Sequence, residues 1–391
     1  MAQHRRSGGG RAPQGRGVSR GLLFGIMSVM IVIAMVAAWQ HFANKSDTEG
    51  DNAARSCVEG NLPVPIVADP DLVGVLTKVA AAFTDTNPVI RDHCINVHVR
   101  AGDAKITLEG LTGTWDTASM GARPAAWIPQ STIWSAELAT VRPEAIEGTP
   151  TSLVTTPVVL AVHPRLGVKV DNKLQWSQLP TMQSTDGSLA AWGLPGIGSL
   201  RMAMPRGSQS DATSLAAQAV ASALTRSTGP LTAADAALPR VASVVNALIN
   251  GAPESQDGTA SAAVRAIGPD IATAPIRAVP ITEQKLYQLT KDDKSAKVMA
   301  IVPGGPTPIA DYPLIRLAAN LISAEASEGA AEFFDFLTQP RQLAMLTALG
   351  FRGDAPLPPT TATVTFPSTP EPMPAPENAA AVTINRLVYG G

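Results

Sequence analysis

The chain has 391 residues, enough for two or three domains, and 45% of them are hydrophobic, enough for a sizeable core, so it is not a disordered chain. Only 4% are aromatic and 33 are proline, which describes an Ala/Val/Leu-rich protein with many punctuated loops. The formal charge of −2 conceals an asymmetry: residues 1–20 carry five arginines and no acid, and the remainder holds 25 basic against 32 acidic side chains, a net −7. A mildly acidic body has no electrostatic footprint for nucleic acid, and no nucleic-acid partner is expected.

Behind the arginines, residues 21–39 form a run of 19 without a charge. As a helix this run would measure about 28 Å, close to the hydrocarbon thickness of a bilayer. A cleavable signal peptide has a shorter apolar core of about 7 to 15 residues, which favours an uncleaved anchor over cleavage near Val36, Ala37 and Ala38. Arg5, Arg6, Arg11, Arg16 and Arg20 precede the run, while Asp47, Glu49 and Asp51 follow it. The positive-inside rule then makes residues 1–20 a cytoplasmic basic arm, residues 21–39 a single transmembrane helix, and everything beyond Trp39 extracytoplasmic. Residues 40–61, polar and small, read as a membrane-proximal linker. Cys57 and Cys94 both fall in the exported part, where an oxidising compartment and an even count favour one disulfide over two unpaired thiols. No CxxC or HxxxH spacing accompanies them, and no metal site is expected.

The folded part begins with a short strand, Pro63 to Val67, after which Asp69 is placed to cap a helix from Leu72 to Thr84. On that helix Leu72, Val75, Leu76, Val79 and Phe83 share one face. Ile95 to Val99 alternates as a half-buried strand does. A further strand at Ala125 to Ile128 should end in a polar loop, with Ser131 and Thr132 leading into a helix. The stretch from Ser152 to Pro164 differs from these: Val, Leu and Thr dominate it, prolines bound it, and no 3.6-residue period runs through it. It reads as a buried strand that carries the chain out of one α/β lobe and into a second.

Beyond it, Leu200 to Met204 reads as a strand, followed by a Gly/Ser loop and an Ala-rich helix from Ala212 to Thr225. Strand, loop and helix N-terminus in that order set backbone N–H groups and hydroxyls around one point, which suits an anion or a polar headgroup. The plainer alternative is an N-cap in which Ser210 or Asp211 satisfies its own helix. It is not a Walker loop, because no Lys-Ser/Thr follows the glycine. Val241 to Ile249 is helical, and strands are expected at Ile276 to Val279, Lys297 to Val302 and Tyr312 to Leu317, the last returning to the first lobe. Helices follow at Glu328 to Thr338 and Pro340 to Leu349. Residues 356–376 are rich in Pro and Thr without apolar periodicity, and 356–391 read as a Pro-rich tail.

Five runs taken in order carry a resemblance: Ala125 to Trp134, the crossover Thr155 to Val162, Trp176 to Leu179, Asp311 to Ile315, and Phe333 to Thr338 through Gly350 to Arg352. Together they resemble the bacterial extracellular solute-binding proteins of the type II periplasmic-binding fold, over about Pro63 to Arg352. The chain looks most like the actinobacterial membrane-anchored version, which is often joined to a von Willebrand factor A domain. No Asp-x-Ser-x-Ser motif occurs in this sequence, so that domain is not expected within it. The resemblance implies an α/β body at 62–355, with lobe 1 at about 62–155 and 312–355, lobe 2 at about 160–300, and a ligand cleft between them.

In such a fold, ligands meet the carboxyl ends of strands and the N-termini of helices. Carried over position by position, the candidate ligand-binding residues are Asp69, Ser131 and Thr132 in lobe 1 and Thr155 and Thr156 at the crossover. Lobe 2 adds Ser208, Gln209, Ser210 and Asp211. The implied function is capture of a small polar or anionic solute, with no cofactor. A rival expectation is an envelope protein that keeps the fold, binds another envelope protein and has lost the ligand. Catalysis is not expected, since no GxSxG elbow or SxxK stands in a fitting context and five histidines form no triad.

Overall fold

The computed structural model describes residues 27, 30–37, 39–40, 57–171, 173–225, 229–295, 297–367 and 371–390. The chain divides into two units, residues 1–57 and 58–391. In the first, residues 30–37 and 39–40 are helical and expose their large apolar side chains, Met30 at 63% and Trp39 at 76% among them. Among the described residues no helix is long and apolar enough to cross a membrane. The basic arm at 1–20, most of the linker, and residues 21–26, 28–29 and 38 of the expected crossing lie outside the described residues.

In the second unit the strands β1 (Gly60–Ala68), β2 (Val89–Ile90), β3 (His93–Ala101), β4 (Ala126–Ile128) and β5 (Ile146–Ser152) belong to a first sheet. The strands β6 (Thr156–Val162), β7 (Ala278–Thr282), β8 (Met299–Ile301) and β9 (Ile309–Ala310) belong to the second lobe, and β10 (Pro313–Leu317) returns to the first sheet. That sheet has the order β2-β3-β1-β4-β10-β5, with β1 parallel to β3 and β4 and with β10 antiparallel to its neighbours. In the second lobe β6 is central, flanked by antiparallel β7 and β8, and β9 pairs with its first residues. Every residue of β6 is buried, which is why this stretch reads in sequence as an uninterrupted apolar run rather than an alternation. The chain therefore crosses between lobes twice, from β5 into β6 and from β9 into β10. This is the two-lobed α/β architecture expected.

Lobe 1 packs its helices on this sheet through aromatic contacts. Phe83, at the end of the helix Pro70–Thr84, meets Phe333 edge-on at 5.6 Å and Phe336 at 5.5 Å, both from the helix Ala324–Leu337. The apolar core is continuous from Val64 and Ile66 through Leu153 and Val158 to Met204 and Leu215, so the crossovers run through packed interior and not across an exposed linker.

Two expectations are corrected. Leu200 to Met204 is not a strand: only Met202 bridges, to Ala278. The Gln183 amide donates to the Met202 carbonyl and accepts from the Met202 N–H, each at 2.8 Å, and so takes up the groups a ladder would use. Nor is 356–391 a tail. Val364 is fully buried, Phe366 packs on Tyr287 at 5.1 Å, and Thr307 exchanges backbone bonds with Glu371 and Met373. The chain then forms the helix Asn378–Tyr389, in which Ala380, Ile384 and Val388 are fully buried. A proline-rich segment needs no periodicity of its own when single apolar anchors enter grooves made by other elements.

Cys57 and Cys94 are disulfide-bonded, as expected, and Cys94 lies within β3. In the chain-entropy picture a loop of this length is worth about 4 kcal/mol. Reduction is therefore expected to lower the unfolding free energy by roughly that amount, read from urea melts with and without dithiothreitol; superimposable melts would show that the bond adds nothing.

Candidate functional site

Three strand ends of lobe 1 deliver its polar residues to the cleft. After β1, Asp69 caps the helix Pro70–Thr84, its Oδ1 accepting from the Asp71 N–H at 2.9 Å. After β4 come Gln130, Ser131 and the helix Thr132–Val141. Ser131 stands at the N-cap without capping by its side chain. That task falls to Asp311, just ahead of β10, whose Oδ1 accepts from the Thr132 N–H at 2.8 Å and whose Oδ2 accepts from Ser152 at 3.2 Å. The Ser131 hydroxyl is thereby left for another partner.

Lobe 2 presents a loop and the N-terminus of the helix Asp211–Thr225. The loop is held tightly: a Cβ on Gly207 would come within 2.9 Å of the Gly258 carbonyl, and Gln209 takes a left-handed φ of 56°. Asp211 projects into lobe 1, where its Oδ2 accepts from Ser131 Oγ at 2.7 Å and from Trp134 Nε1 at 2.8 Å. Its backbone N–H donates to Gln130 Oε1 at 3.2 Å. Alongside, Gln209 Nε2 donates to Asp69 Oδ1 at 3.3 Å. Lys285, from the helix Glu283–Thr290, donates to Asp71 and, at 3.1 Å, to Gln209 Oε1.

Of the nine residues singled out in the sequence, Asp69, Ser131, Gln209 and Asp211 are thus brought together by bonds that run between the lobes. Ser210 donates instead to its own loop, at the Gly207 carbonyl, and Thr132 is engaged with Asp311. Thr155 and Thr156 stand apart at the crossover. Thr155 exchanges backbone bonds with Arg352, and the Thr156 hydroxyl accepts from the Gln284 N–H at 3.1 Å. A cavity of about 90 Å³ remains between the lobes, lined by Asp103, Lys105, Trp134, residues 206–209, Asp211 and Tyr389. Sequence reasoning missed Gln130, Trp134 and Asp311, although all three lie within runs that carry the resemblance. It had no local signal for Lys285 or Tyr389, which reach the cleft only through tertiary packing.

The electrostatics follow from burying acids together. Burial pushes the Asp211 carboxyl up to about 6 from an ordinary 3.8; the bonds from Ser131 and Trp134 oppose the rise, and the charges of Asp103 and Asp311 add to it. Burial likewise pushes Asp69 up to about 8, aided by Asp71 and Asp211 and opposed by the bonds from the Asp71 N–H and Gln209. Among the described residues no group of three or more His, Cys, Asp or Glu could hold a metal ion.

Two lobes joined by a double crossover, meeting on polar groups at strand ends and helix N-termini, define a two-lobed binding protein. The chain belongs to the bacterial extracellular solute-binding proteins, whose family profile matches residues 64–352. It is 33% identical over 381 residues to the uncharacterized protein Rv1836c of Mycobacterium tuberculosis strain H37Rv, and equally to MT1884 of strain CDC 1551 / Oshkosh. The match covers 96% of this chain and spans 55% of those relatives' length. Among solved structures, iron-bound HitA from Pseudomonas aeruginosa is similar with a TM-score of 0.54 at 14% identity, covering 84% of this chain and 99% of that one. AfuA from Actinobacillus pleuropneumoniae, with fructose-6-phosphate bound, is similar with a TM-score of 0.52 at 11% identity, covering 85% and 97%. At such identities the likeness shows the fold alone. The family and these neighbours are binding proteins, not enzymes.

A carboxyl that is harder to ionise in the folded than in the unfolded chain keeps more protons in the native state. Its contribution to stability is complete below the unfolded value and is lost as pH rises through the folded one. The share of the melting temperature set by these two carboxyls is therefore expected to fall from pH 3.8 upward, with Asp211 acting up to about 6 and Asp69 up to about 8. Asp211→Asn should flatten the lower part of that fall in a series of thermal melts; an unchanged slope would mean that Asp211 titrates as an ordinary surface carboxyl.

Proposed function

We propose that this protein is a membrane-tethered extracytoplasmic receptor that captures a small polar or anionic solute between its two lobes. The reading is carried by one observation: the lobe 1 donors Ser131 Oγ and Trp134 Nε1 already hold an oxyanion, the carboxylate of Asp211. Donors preset for a carboxylate suit a carboxylate or phosphate oxygen of a solute equally well, since the acceptor chemistry is the same. A solute takes them as the lobes part and Asp211 withdraws, and Ser208, Gln209 and the 211–225 helix N-terminus supply contacts from the other side. The charges of Asp103 and Asp311 beside Asp211 disfavour a highly charged anion and favour a neutral polar or singly charged one. HitA binds iron and AfuA fructose-6-phosphate, so the fold accommodates small solutes of differing charge.

The tether is residues 21–39. Support comes from the uncharged run behind five arginines and from the described part of that run, which is helical with exposed apolar side chains. Protease added to intact spheroplasts is expected to digest the body and spare the anchor; a protected body would reverse the topology.

One observation favours the second reading, an envelope-interaction protein that no longer binds solute. Ser131, Trp134 and Gln209 donate to the protein's own carboxylates, and the cavity beside them measures about 90 Å³. Thermal melts of the detergent-solubilised full chain against small carboxylates, phosphates and sugars separate the two. Under the receptor reading at least one compound raises the wild-type melting temperature. Ser131→Ala then weakens its binding by about tenfold to a hundredfold, the value of one hydrogen bond in a water-poor site. If no compound raises it, the envelope-interaction reading stands instead.

A further inference from the structure

The helix Asn378–Tyr389 lies where the two lobes meet, and its two attachments differ in kind. Toward lobe 2 it is anchored by burial. Ala380, Ile384 and Val388, spaced four apart on one face, join Ala217, Ala221, Leu231, Val241 and Val245 in one fully buried apolar cluster. Its start is stitched to the same lobe, since the Glu377 N–H donates to the Leu231 carbonyl at 3.0 Å and Glu377 Oε2 accepts from the Ala233 N–H at 2.8 Å. Toward lobe 1 it packs along a single helix, Thr132–Val141. Asn385 Nδ2 donates to Glu137 Oε1, and the Tyr389 ring lies 5.9 Å from the Trp134 ring at 49°.

We propose that this helix is a latch, carried by lobe 2, which holds lobe 1 closed through Trp134 and Glu137 and must release both before the cleft can open. The latch and the cleft share a residue, because Trp134 meets Tyr389 with its ring and donates its N–H to Asp211. Tyr389 also lines the interlobe cavity and lies against the Ser210 side chain. Separating Trp134 from Asp211 therefore separates it from Tyr389, and the two contacts form and break together. The asymmetry of the attachments fixes which side lets go: three helices of lobe 2 share a fully buried apolar cluster with it, against one helix of lobe 1 whose named bonds are one hydrogen bond and one ring contact. The latch deepens the receptor reading by naming what a solute must displace, yet it is a property of the solute-free protein and can be tested without a solute.

Hydrogen exchange of the detergent-solubilised full chain, read by mass spectrometry, is the test. Asn385→Ala combined with Tyr389→Leu is expected to speed exchange about tenfold in residues 130–135 and 209–213, equivalent to about 1.4 kcal/mol, while residues 241–248 keep the wild-type rate. Unchanged exchange at the cleft overturns the proposal. So does acceleration that extends through 241–248, because the helix would then be a structural member of lobe 2 and not a latch. As a second variant, Glu137→Cys with Asn385→Cys is expected to slow exchange at the cleft when oxidised and to release it on mild reduction; no difference between the two states also overturns the proposal. Failure here leaves the solute screen untouched, and a blank screen leaves the latch untouched.

Discussion

The closed form of this protein depends on one buried carboxylate. A charged or strongly polar group removed from water costs several kcal/mol unless its hydrogen bonds are replaced. Asp211 is 4% exposed, and both donors to its Oδ2 come from the opposite lobe. The N-terminus of its own helix is likewise satisfied from across the cleft, by Gln130. Parting the lobes therefore leaves a carboxylate, an indole N–H and a serine hydroxyl to be solvated or taken by another molecule. That exchange is the physical basis on which a solute can alter the balance of open and closed forms, since a ligand shifts such a balance only by the difference in its contacts with the two.

The two lobes are joined by the double crossover. Of its strands, β6 and β10 are largely buried and paired on both sides, whereas β5 is an exposed edge and β9 pairs with β6; the return is pinned at the same place. Arg352 donates from Nε and Nη2 to the two carboxylate oxygens of Glu283, each at 2.9 Å, while its backbone pairs with Thr155. Burial raises the Glu283 carboxyl and the Arg352 guanidinium opposes that rise, a pairing that keeps the charge tolerable in the interior. Thr155 and Thr156 serve this junction, Thr155 through backbone bonds with Arg352 and Thr156 through its hydroxyl, which accepts from the Gln284 N–H.

The chain after Arg352 changes how the body is understood. Val364, Phe366 and Met373 enter the body as isolated apolar anchors, and the helix Asn378–Tyr389 reaches lobe 1 at Glu137 and Trp134. In this chain the lobes meet on the protein's own groups, and the helix Asn378–Tyr389 touches both.

The sequence alone determined the elements whose patterns are local. The apolar face of Leu72 to Phe83, the alternation of Ile95 to Val99 and the unbroken run of β6 are each dictated by the burial of one element's own side chains, and those periods are written in the chain. It also marked Asp69, Ser131, Gln209 and Asp211, because small polar residues after strands and before helices are visible as such. It could not decide that Asp211 satisfies lobe 1 in place of its own helix, nor that Lys285 and Tyr389 arrive at the cleft. It also could not show that Gln183 removes the pairing groups of Met202. Those outcomes rest on contacts between residues 80 to 250 positions apart, or on a side chain competing with a ladder, and such partners leave no periodicity. The tail is the clearest case: Ala380, Ile384 and Val388 carry a spacing of four, but alanine beside valine and isoleucine says little until Val241 and Val245 supply the surface it fits.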